Sequence, residues 1–516
     1  MLAATSDARA RFLRLLLRRL RHQQQQHPLL PAEASSARPS IVGRQCATGR
    51  GYASSSAPAA APGVGFVFDI DGVLRRGAST IPSAAVVRER LVDAQTGRWR
   101  VPAIFLTNGG GMTEAAKARE LSEWLEAPVS ERQVALSHTP FKHGLARRLR
   151  DRPVLVAGRG DVGAVARDCY GLRAVVTTRE LALADPSALP FRRPGDFLAG
   201  QGDPPGSSRR VTGEGFGAGG DRGGDGGGGD LLPALPPPHH WGTPLAPFAA
   251  VLVFSDPHDW YADFQLLIDT AATSGAPLPA AAAGDAPAPP PGAASDDNNN
   301  NTNAFEGFYF SNPDMEFAGT HPRPRFGQGS FACAFAALHR ALVEGERRMP
   351  PLRAFFCGKP TAAAARLAET LLVGHAAEIG VPGAAGAAEA LEELARRQPS
   401  AVGALPLRAE EEEEEEKAAA AARRELLTTV FPAGIYMVGD NPRADVRGAR
   451  RAGAPWTSVL VRTGVFGSGG GGGDDGRPFP DNDVTDPADV VVADVRAAVE
   501  AALHRARAVK WHSLRG

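Results

Sequence analysis

Ten short apolar runs along the chain predict buried strands. They lack the alternation of apolar and polar residues that marks a sheet with one solvated face, so they fit a parallel sheet covered on both faces. The runs are residues 65–69, 101–106, 154–157, 174–177, 249–254, 307–310, 353–357, 434–438, 457–461 and 490–492. Helical patterns between them cover residues 84–94, 113–125, 162–169, 261–272, 330–344, 361–373 and 443–452. This alternation predicts an α/β fold with a parallel sheet.

Biased tracts interrupt the pattern. Residues 192–247 are rich in Gly and Pro, residues 276–303 in Ala and Pro and then Asn, and residues 380–425 contain the acidic run 410–416. We interpret these tracts, with the Gly-rich stretch 467–482, as low-complexity inserts. The acidic run is interpreted as a solvated helix or coil rather than a metal site, because like charges repel.

The N-terminal segment has its own composition. Residues 1–56 contain nine arginines and two acids, Asp7 and Glu33, and the arginines between 9 and 22 are interleaved with leucines. This Arg-rich, acid-poor composition predicts an organelle transit peptide and a mitochondrial location, with the matrix favoured. A plastid address and a disordered basic tail are the alternatives.

Overall composition narrows the classes of partner and compartment. Lys plus Arg and Asp plus Glu are equal at 57 each, which gives no support for a nucleic-acid partner. The four cysteines are scattered, which favours a reducing compartment. No apolar run approaches the roughly 18 residues of a membrane span, so no transmembrane segment is predicted.

Asp69 and Asp71 follow the first apolar run and precede Gly72. Residues i and i+2 of a strand share a face, so both carboxylates are expected at the carboxyl edge of the sheet, where ligands bind. Adjacent carboxylates repel unless a cation or a proton lies between them. A magnesium ion can balance the charge of one carboxylate, and the other carboxylate can carry a proton for acid–base chemistry. The alternative is a surface acid pair before a turn.

Three further groups of polar residues follow apolar runs. Thr107 and Asn108 offer a hydroxyl and an amide for an anion, although Thr-Asn-Gly is also a good turn. Lys359 could neutralise a phosphoryl group, or could be a surface lysine. Asp440 can reach a metal shared with Asp69, and Asp445 lies in the first turn of the next helix, where it favours the helix dipole or orients the lysine.

These four groups, in this order, resemble the haloacid dehalogenase superfamily of phosphohydrolases. Within it the chain is similar to subfamily IIA, and to its branch of cat eye syndrome critical region protein 5-like proteins. The branch resemblance rests on residues 106–111, Ser137-His138-Thr139-Pro140, residues 256–260, Ser311-Asn312-Pro313-Asp314 and residues 325–329. The implied fold is a Rossmann-like core, residues 63–135 and 321–505, with an inserted α/β cap, residues 136–320. Residues 1–62 would be a leader and residues 506–516 a tail.

The resemblance implies a magnesium-dependent phosphatase that forms an aspartyl-phosphate on Asp69. Asp71 would be the acid–base group and would bind magnesium through its main-chain carbonyl. Magnesium would also be bound by Asp69 and Asp440, with Asp445 behind them. The phosphoryl oxygens would be held by Thr107, Asn108 and Lys359. The substrate expected is a small phosphorylated metabolite, and the oligomeric state stays open.

Several assignments keep alternatives. His258 either selects the substrate or is a structural histidine, and Asn312 and Asp314 either contact the substrate or cap a turn. The run Gly158–Gly163 matches G-x-G-x-x-G but is interpreted as a strand-to-helix turn rather than a dinucleotide site. At the level of function, the alternatives are a non-catalytic regulatory protein on the same scaffold and a phosphotransferase linked to phospholipid metabolism.

Overall fold

The computed structural model describes residues 63–191, 247–275, 304–321, 323–345, 349–397, 410–467 and 481–513. The predicted leader 1–62 and the predicted insert 276–303 lie outside the described residues. So do nearly all of the predicted inserts 192–247 and 467–482, and the end of the predicted tail.

Each of the ten predicted strands forms. Numbered in chain order, the strands are β1 (Gly65–Phe68), β2 (Arg75–Arg76), β3 (Ser79–Thr80), β4 (Ala103–Leu106), β5 (Val134–Ala135), β6 (Val154–Ala157), β7 (Val175–Thr177), β8 (Ala250–Val253), β9 (Phe308–Phe310), β10 (Glu316–Phe317), β11 (Arg325–Phe326), β12 (Ala354–Phe356), β13 (Ile435–Gly439), β14 (Trp456–Val461) and β15 (Val490–Val492). The five strands that sequence analysis missed have two residues each, too short for a hydrophobic period to register.

Two parallel sheets organise the described residues. The first has six strands in the order β15-β14-β13-β1-β4-β5, and the second has five in the order β12-β9-β8-β6-β7. Every pairing within them is parallel, for example Phe66 with Tyr436 and Val154 with Ala250. The second sheet is inserted in the chain between β5 and β13. The predicted α/β fold with parallel sheets is therefore confirmed.

Helices connect the parallel strands. They cover Val86–Leu91, Glu114–Leu125, Thr139–Gly144, Ala146–Leu149, Val162–Ala164, Thr178–Ala184, Trp260–Ala272, Gln328–Glu344, Ala362–Glu378, Ala384–Arg397, Glu410–Val430, Arg447–Ala452 and Val495–Ser513. The π-helical turn Val165–Cys169 directly follows helix Val162–Ala164. The π-helical turn Pro442–Val446 directly precedes helix Arg447–Ala452. Among the described residues no helix combines the length and apolar character needed to cross a membrane.

Both faces of each sheet are covered. In the first sheet, Phe66 and Phe68 of β1 belong to one apolar cluster and the intervening Val67 belongs to another on the opposite face. Likewise Val154 and Leu155 of β6 fall into different clusters of the second sheet. Because successive side chains of a strand point to opposite faces, double coverage explains why the runs show no polar alternation.

The region 380–425 corrects the prediction of a low-complexity insert. Helix Ala384–Arg397 buries Ala387, Leu391 and Leu394 in the apolar cluster under the first sheet. Helix Glu410–Val430 packs in the same cluster through Leu426, Leu427 and other apolar residues. The alanine-rich composition obscured an apolar stripe at helical spacing, which is what the fold uses.

The boundary between the two sheets also differs from the prediction. Residues 321–356 were expected in the core, but β12 pairs with β9 through Ala354 and Phe308. Helix Gln328–Glu344 buries Phe331 and Phe335 in the cluster of the second sheet. A helix that crosses over from β9 returns the chain to the same sheet, so the passage back to the first sheet comes after Phe356.

The carboxyl ends of the two sheets face each other. A Cβ atom on Gly110, in the turn after β4, would lie 2.6 Å from the carbonyl oxygen of Phe254, which follows β8. The hydroxyl of Ser137 donates to the hydroxyl of Ser311 at 3.0 Å, joining the segments after β5 and β9. Loops that carry polar residues from both sheets therefore meet in one region.

Candidate active site

Asp69 lies at the carboxyl end of the buried strand β1. Its backbone N–H donates to the carbonyl oxygen of Val438 in β13 at 2.9 Å, which extends the parallel ladder by one residue. Its Oδ1 accepts a hydrogen bond from the backbone N–H of Ile70 at 2.8 Å. The strand thus fixes the backbone of this aspartate, and the side chain is only 10% exposed.

Lys359 joins two of the predicted carboxylates. Its Nζ lies 2.8 Å from Asp69 Oδ1 and 2.7 Å from Asp445 Oδ1. Burial by itself would lower the pKa of Lys359, but Asp445 and Asp69 raise it above its usual value. The lysine is therefore a buried cation between two acids, and the alternative of a surface lysine does not describe its position.

Three buried carboxylates converge at this point. Oxygen atoms of Asp69, Asp440 and Asp445 all lie within 4.8 Å of one another. Burial, followed by the nearby Asp69 and Asp445, raises the pKa of Asp440 well above its usual value. Burial also raises the pKa of Asp445 to about 6, against the opposing effect of Lys359. Three acids and one lysine leave excess negative charge that a further cation or a proton must balance.

Two glycines allow the backbone to approach Asp440. The φ of Gly72 is +84°, and a Cβ atom there would lie 2.2 Å from Asp440 Oδ2. A Cβ atom on Gly464 would lie 1.9 Å from the same oxygen. The backbone N–H of Val465 donates to Oδ2 at 2.6 Å. Asp440 is therefore enclosed by the loops after β1 and β14, and a side chain on either glycine would displace it.

Thr107 and Asn108 follow β4, the strand next to β1. The hydroxyl of Thr107 accepts a hydrogen bond from the N–H of Gly109 at 2.9 Å, which shapes the turn. Asn108 contacts the backbone of Lys359 twice: its Oδ1 accepts from the lysine N–H at 2.8 Å, and its Nδ2 donates to the lysine carbonyl at 3.0 Å. Both side chains are buried at the same edge as Asp69.

Asp71 occupies the outer part of the site. Its side chain is 39% exposed, and Oδ1 lies 3.4 Å from Nε of Arg75. The guanidinium of Arg75 in turn lies over the ring of Trp124, 4.4 Å from its centroid. Among the described residues the carboxylate cluster contains no oxygen of Asp71, in keeping with an acid directed toward solvent.

A carboxylate from the second sheet completes the site. Oδ2 of Asp314, in the segment after β9, accepts a hydrogen bond from Asn108 Nδ2 at 2.8 Å. Burial raises the pKa of Asp314 to about 7, against the opposing effect of Lys359. Asn312 has a different position: its Oδ1 accepts the backbone N–H of Asp314 at 2.7 Å, so it shapes the turn that presents Asp314.

Two segments of the chain match models of known protein families. Residues 66–171 match the model of the family described as haloacid dehalogenase-like hydrolase, and residues 415–498 match one described as HAD-hydrolase-like. The two segments contain Asp69, Asn108 and Asp440. The chain is a hydrolase of the haloacid dehalogenase type. The predicted enzyme class is confirmed at that level.

The hydrolase is similar in sequence or in fold to several known proteins. A mitochondrial hydrolase of Saccharomyces cerevisiae is 29% identical over 411 residues, which are 79% of this chain and 89% of that protein. A fusion of cardiolipin synthase (CMP-forming) with a mitochondrial hydrolase in Schizosaccharomyces pombe is 26% identical over 78% of this chain and 48% of that protein. The p-nitrophenyl phosphatase of Archaeoglobus fulgidus has a TM-score of 0.40 and 14% identity, covering 85% of this chain and 98% of that one.

Most of the predicted site residues of the hydrolase lie close together in the structure, and His258 does not lie with them. The structure brings together Asp69, Asn108, Lys359, Asp440 and Asp445, with Thr107 in the adjoining turn. It does not bring His258 to them. That histidine is exposed in the loop after β8, and in the described part of the chain it makes no hydrogen bond or ion pair with the carboxylate cluster.

The predicted site of the hydrolase included Asn312 but not Asp314, although both were expected either to contact the substrate or to cap a turn. The indication in the sequence was the run Ser311-Asn312-Pro313-Asp314 directly after an apolar strand. In the structure Asp314 accepts a hydrogen bond from Asn108, and the amide oxygen of Asn312 accepts the backbone N–H of Asp314. Sequence alone could not show that the carboxyl ends of two separate sheets meet.

Proposed function

We propose that the hydrolase is a phosphoester hydrolase in which Asp69 is the nucleophile. The observation that carries the proposal is the position of Asp69. Its carboxylate lies at a strand end, fixed by Lys359 within a buried cluster that holds two further carboxylates. A carboxylate held in this way can attack phosphorus, and the lysine and the Asn108 amide offset charge on the phosphoryl oxygens.

The reaction balances with groups of this chain and water. Asp69 Oδ attacks phosphorus and forms an aspartyl-phosphate, while the ester P–O bond breaks and the leaving oxygen takes a proton from Asp71. Water then attacks the aspartyl-phosphate and gives its proton to the Asp71 carboxylate. Inorganic phosphate leaves, and Asp69 is regenerated.

Magnesium is the cation we propose for this site. The donor set is suitable, since magnesium prefers oxygen ligands and uses few carboxylates together with substrate phosphate. Asp69 and Asp440 would hold it, with Asp445 behind them and the Asp71 main-chain carbonyl as a further ligand. The raised pKa of Asp440 and the excess of buried acids support a cation there. When bound, magnesium supplies positive charge that stabilises the transferring phosphoryl group.

The substrate class, branch and location are part of the same proposal. We propose a small phosphorylated metabolite as substrate and membership in the cat eye syndrome critical region protein 5-like branch. A mitochondrial matrix location is supported by the Arg-rich composition of residues 1–56 and by the relative named a mitochondrial hydrolase.

The test is a panel of phosphorylated metabolites and aryl phosphates assayed for phosphate release with magnesium and with chelator. We expect release that requires the metal, and we expect Asp69→Asn to lower turnover by at least roughly 10³-fold while the circular dichroism stays unchanged. Asp151→Asn, which removes the charge of an exposed carboxylate paired with Arg173, is the matched control.

Two results would overturn the proposal. Silence across the panel from a protein that binds magnesium would favour a non-catalytic role. Turnover unchanged by Asp69→Asn would exclude this nucleophile. Added alcohols distinguish hydrolysis from phosphoryl transfer, because transfer converts the alcohol into a new phosphoester at the expense of free phosphate.

A further inference from the structure

A cavity of about 180 Å³ lies at the carboxyl edge of the second sheet. It opens beside the loops after β6 and β8 and beside the short hairpin of β10 and β11. Charged and aromatic side chains share its wall. The main ones are Arg159, Asp256, Trp260, Arg325, Phe326 and Phe331.

Among the described residues neither arginine forms a salt bridge, although Arg159 lies near Asp256: burial raises the pKa of that carboxyl and the charge of Arg159 opposes the rise. Among the described residues neither guanidinium has a carboxylate oxygen within 4.0 Å. Nε of Arg325 donates to the carbonyl oxygen of the adjacent Pro324 at 2.9 Å. Two guanidinium groups without a salt bridge on one wall can bind an anion, because arginine matches planar carboxylate or phosphate groups.

The third charged group of the cavity is also incompletely paired. Oδ1 of Asp256 is shielded from solvent and, within the described ranges, has no hydrogen-bond partner. A buried acceptor without a donor is unfavourable, so this wall is suited to a polar ligand. Two guanidinium groups against one carboxylate leave the cavity with net positive charge, and the preferred ligand is therefore an anion.

The cavity adjoins the candidate active site on two sides. A Cβ atom on Gly111 would lie 2.5 Å from the carbonyl oxygen of Arg159, and Gly111 belongs to the turn that contains Asn108. On the other side, a Cβ atom on Gly327 would lie 2.6 Å from the carbonyl oxygen of Asp314, whose side chain is bonded to Asn108. A phosphoryl group beside Asn108 would therefore have the cavity as its neighbour.

The volume corresponds to one ring. An apolar protein cavity of about 150 Å³ accommodates benzene, so a cavity slightly larger than this suits a single ring-sized group. Trp260 and Phe331 provide apolar contact, with their ring centroids 5.4 Å apart. Phe326 is 71% exposed at the rim, where a bound ring would cover part of it.

We propose that this cavity binds the leaving alcohol of the phosphorylated substrate, and that this alcohol is a ring-sized apolar group bearing an anionic substituent held by Arg159 and Arg325. The proposal rests on the proposed phosphohydrolase function and specifies its substrate class. Three probes separate the two ideas: phenyl phosphate, 4-carboxyphenyl phosphate and 4-(aminomethyl)phenyl phosphate.

We expect kcat/KM for 4-carboxyphenyl phosphate to exceed that for phenyl phosphate by about tenfold, a preference worth about 1.4 kcal/mol. The aminomethyl compound should be the poorest of the three. Arg159→Gln and Arg325→Gln should each lower kcat/KM for 4-carboxyphenyl phosphate at least fivefold more than they lower kcat/KM for phenyl phosphate. Comparing each variant with the parent on the same substrate cancels differences in leaving-group acidity.

Two further variants sharpen the result. Asp256→Asn removes the negative charge of the cavity and should raise the preference for the carboxylate substrate. Arg340→Gln makes the same charge change as the arginine variants at an exposed position on helix Gln328–Glu344. It lies about 18 Å along the helix from Gln328 and should leave the preference unchanged.

Turnover of phenyl phosphate in each variant reports that the variant is folded. Equal kcat/KM for all three probes in an active enzyme would overturn the anionic leaving group and leave the phosphohydrolase proposal intact. A carboxylate preference that survives both arginine variants would overturn the assignment to this cavity. Failure to hydrolyse any of the three, with other metabolites hydrolysed, would overturn the ring-sized leaving group.

Discussion

The amide of Asn108, which follows β4 of the first sheet, contacts two segments that follow strands of the second sheet. Its oxygen binds the backbone N–H of Lys359, and its nitrogen donates to Oδ2 of Asp314. The lysine in turn contacts the proposed nucleophile. A chain of contacts thus runs from the second sheet to Asp69, which makes Asp314 a positioning residue.

Replacement of Asp314 by alanine should lower kcat by about 10²-fold with a smaller change in KM, because the amide and the lysine lose their alignment. Steady-state kinetics on a hydrolysed substrate measure this split. Asp263→Asn is the control, since that buried acid of helix Trp260–Ala272 bonds Thr178 and does not contact the site. Equal losses in kcat for both variants would assign Asp314 a purely structural role.

At the scale of elements, the turn after β6 contacts the turn after β4. Gly160, with φ +87°, follows β6, and a Cβ atom there would lie 2.2 Å from the carbonyl oxygen of Gly111. The G-x-G-x-x-G run is therefore a strand-to-helix turn in which Gly160 permits backbone contact with the turn of Asn108. The close contact between the two turns accounts for Gly160 without a bound nucleotide.

Gly160→Ala should destabilise the protein by about 1–2 kcal/mol for the left-handed backbone and by a further 1–3 kcal/mol for the clash. Denaturant unfolding measures the sum. Gly171→Ala is the matched control, because Gly171 has φ +71° and nothing within 4 Å of its Cβ position. The clash is the difference between the two variants, and a difference near zero would mean that the two turns do not touch.

At the scale of the whole molecule, buried histidines connect stability to pH. His375, on helix Ala362–Glu378, accepts a hydrogen bond from the N–H of Ala103 in β4 at 3.1 Å, and burial lowers its pKa to about 4. Burial likewise lowers the pKa of His138 to about 4, and its ring lies against Tyr170 in the cluster of the second sheet. Both rings are neutral in the folded protein near pH 7.

The contribution of these two histidines to the free energy of unfolding should fall as the pH falls. Well above pH 6.5 the histidines are neutral in both states and this contribution is full. Between pH 6.5 and 4 the unfolded chain binds protons at these positions that the folded chain does not. Each histidine should contribute a loss on the order of 3 kcal/mol across this window. Denaturant titrations of His375→Gln should show a correspondingly smaller loss. The exposed His504→Gln is the control, and an identical loss in parent and His375 variant would contradict the prediction.

By itself the sequence determined the local elements and the residues that strand ends present. Buried runs such as 154–157 correspond to strands, and Asp69, Thr107 and Asp440 follow them, because hydrophobic period and chain order are local properties. Composition led to a wrong prediction where alanine was abundant. Helix Ala384–Arg397 was expected to be part of a low-complexity insert, although its apolar stripe was present in the sequence.

Only the tertiary structure decided which distant segments meet. The pairing of β12 with β9, and the meeting of Arg159 with Arg325 in one cavity, depend on how the second sheet is assembled. The contact of Asp314 with Asn108 depends on how the two sheets are apposed. Such contacts join residues some 200 positions apart, as between Asn108 and Asp314. No periodicity along the chain encodes them, since they arise when two separately covered sheets bring their carboxyl edges together.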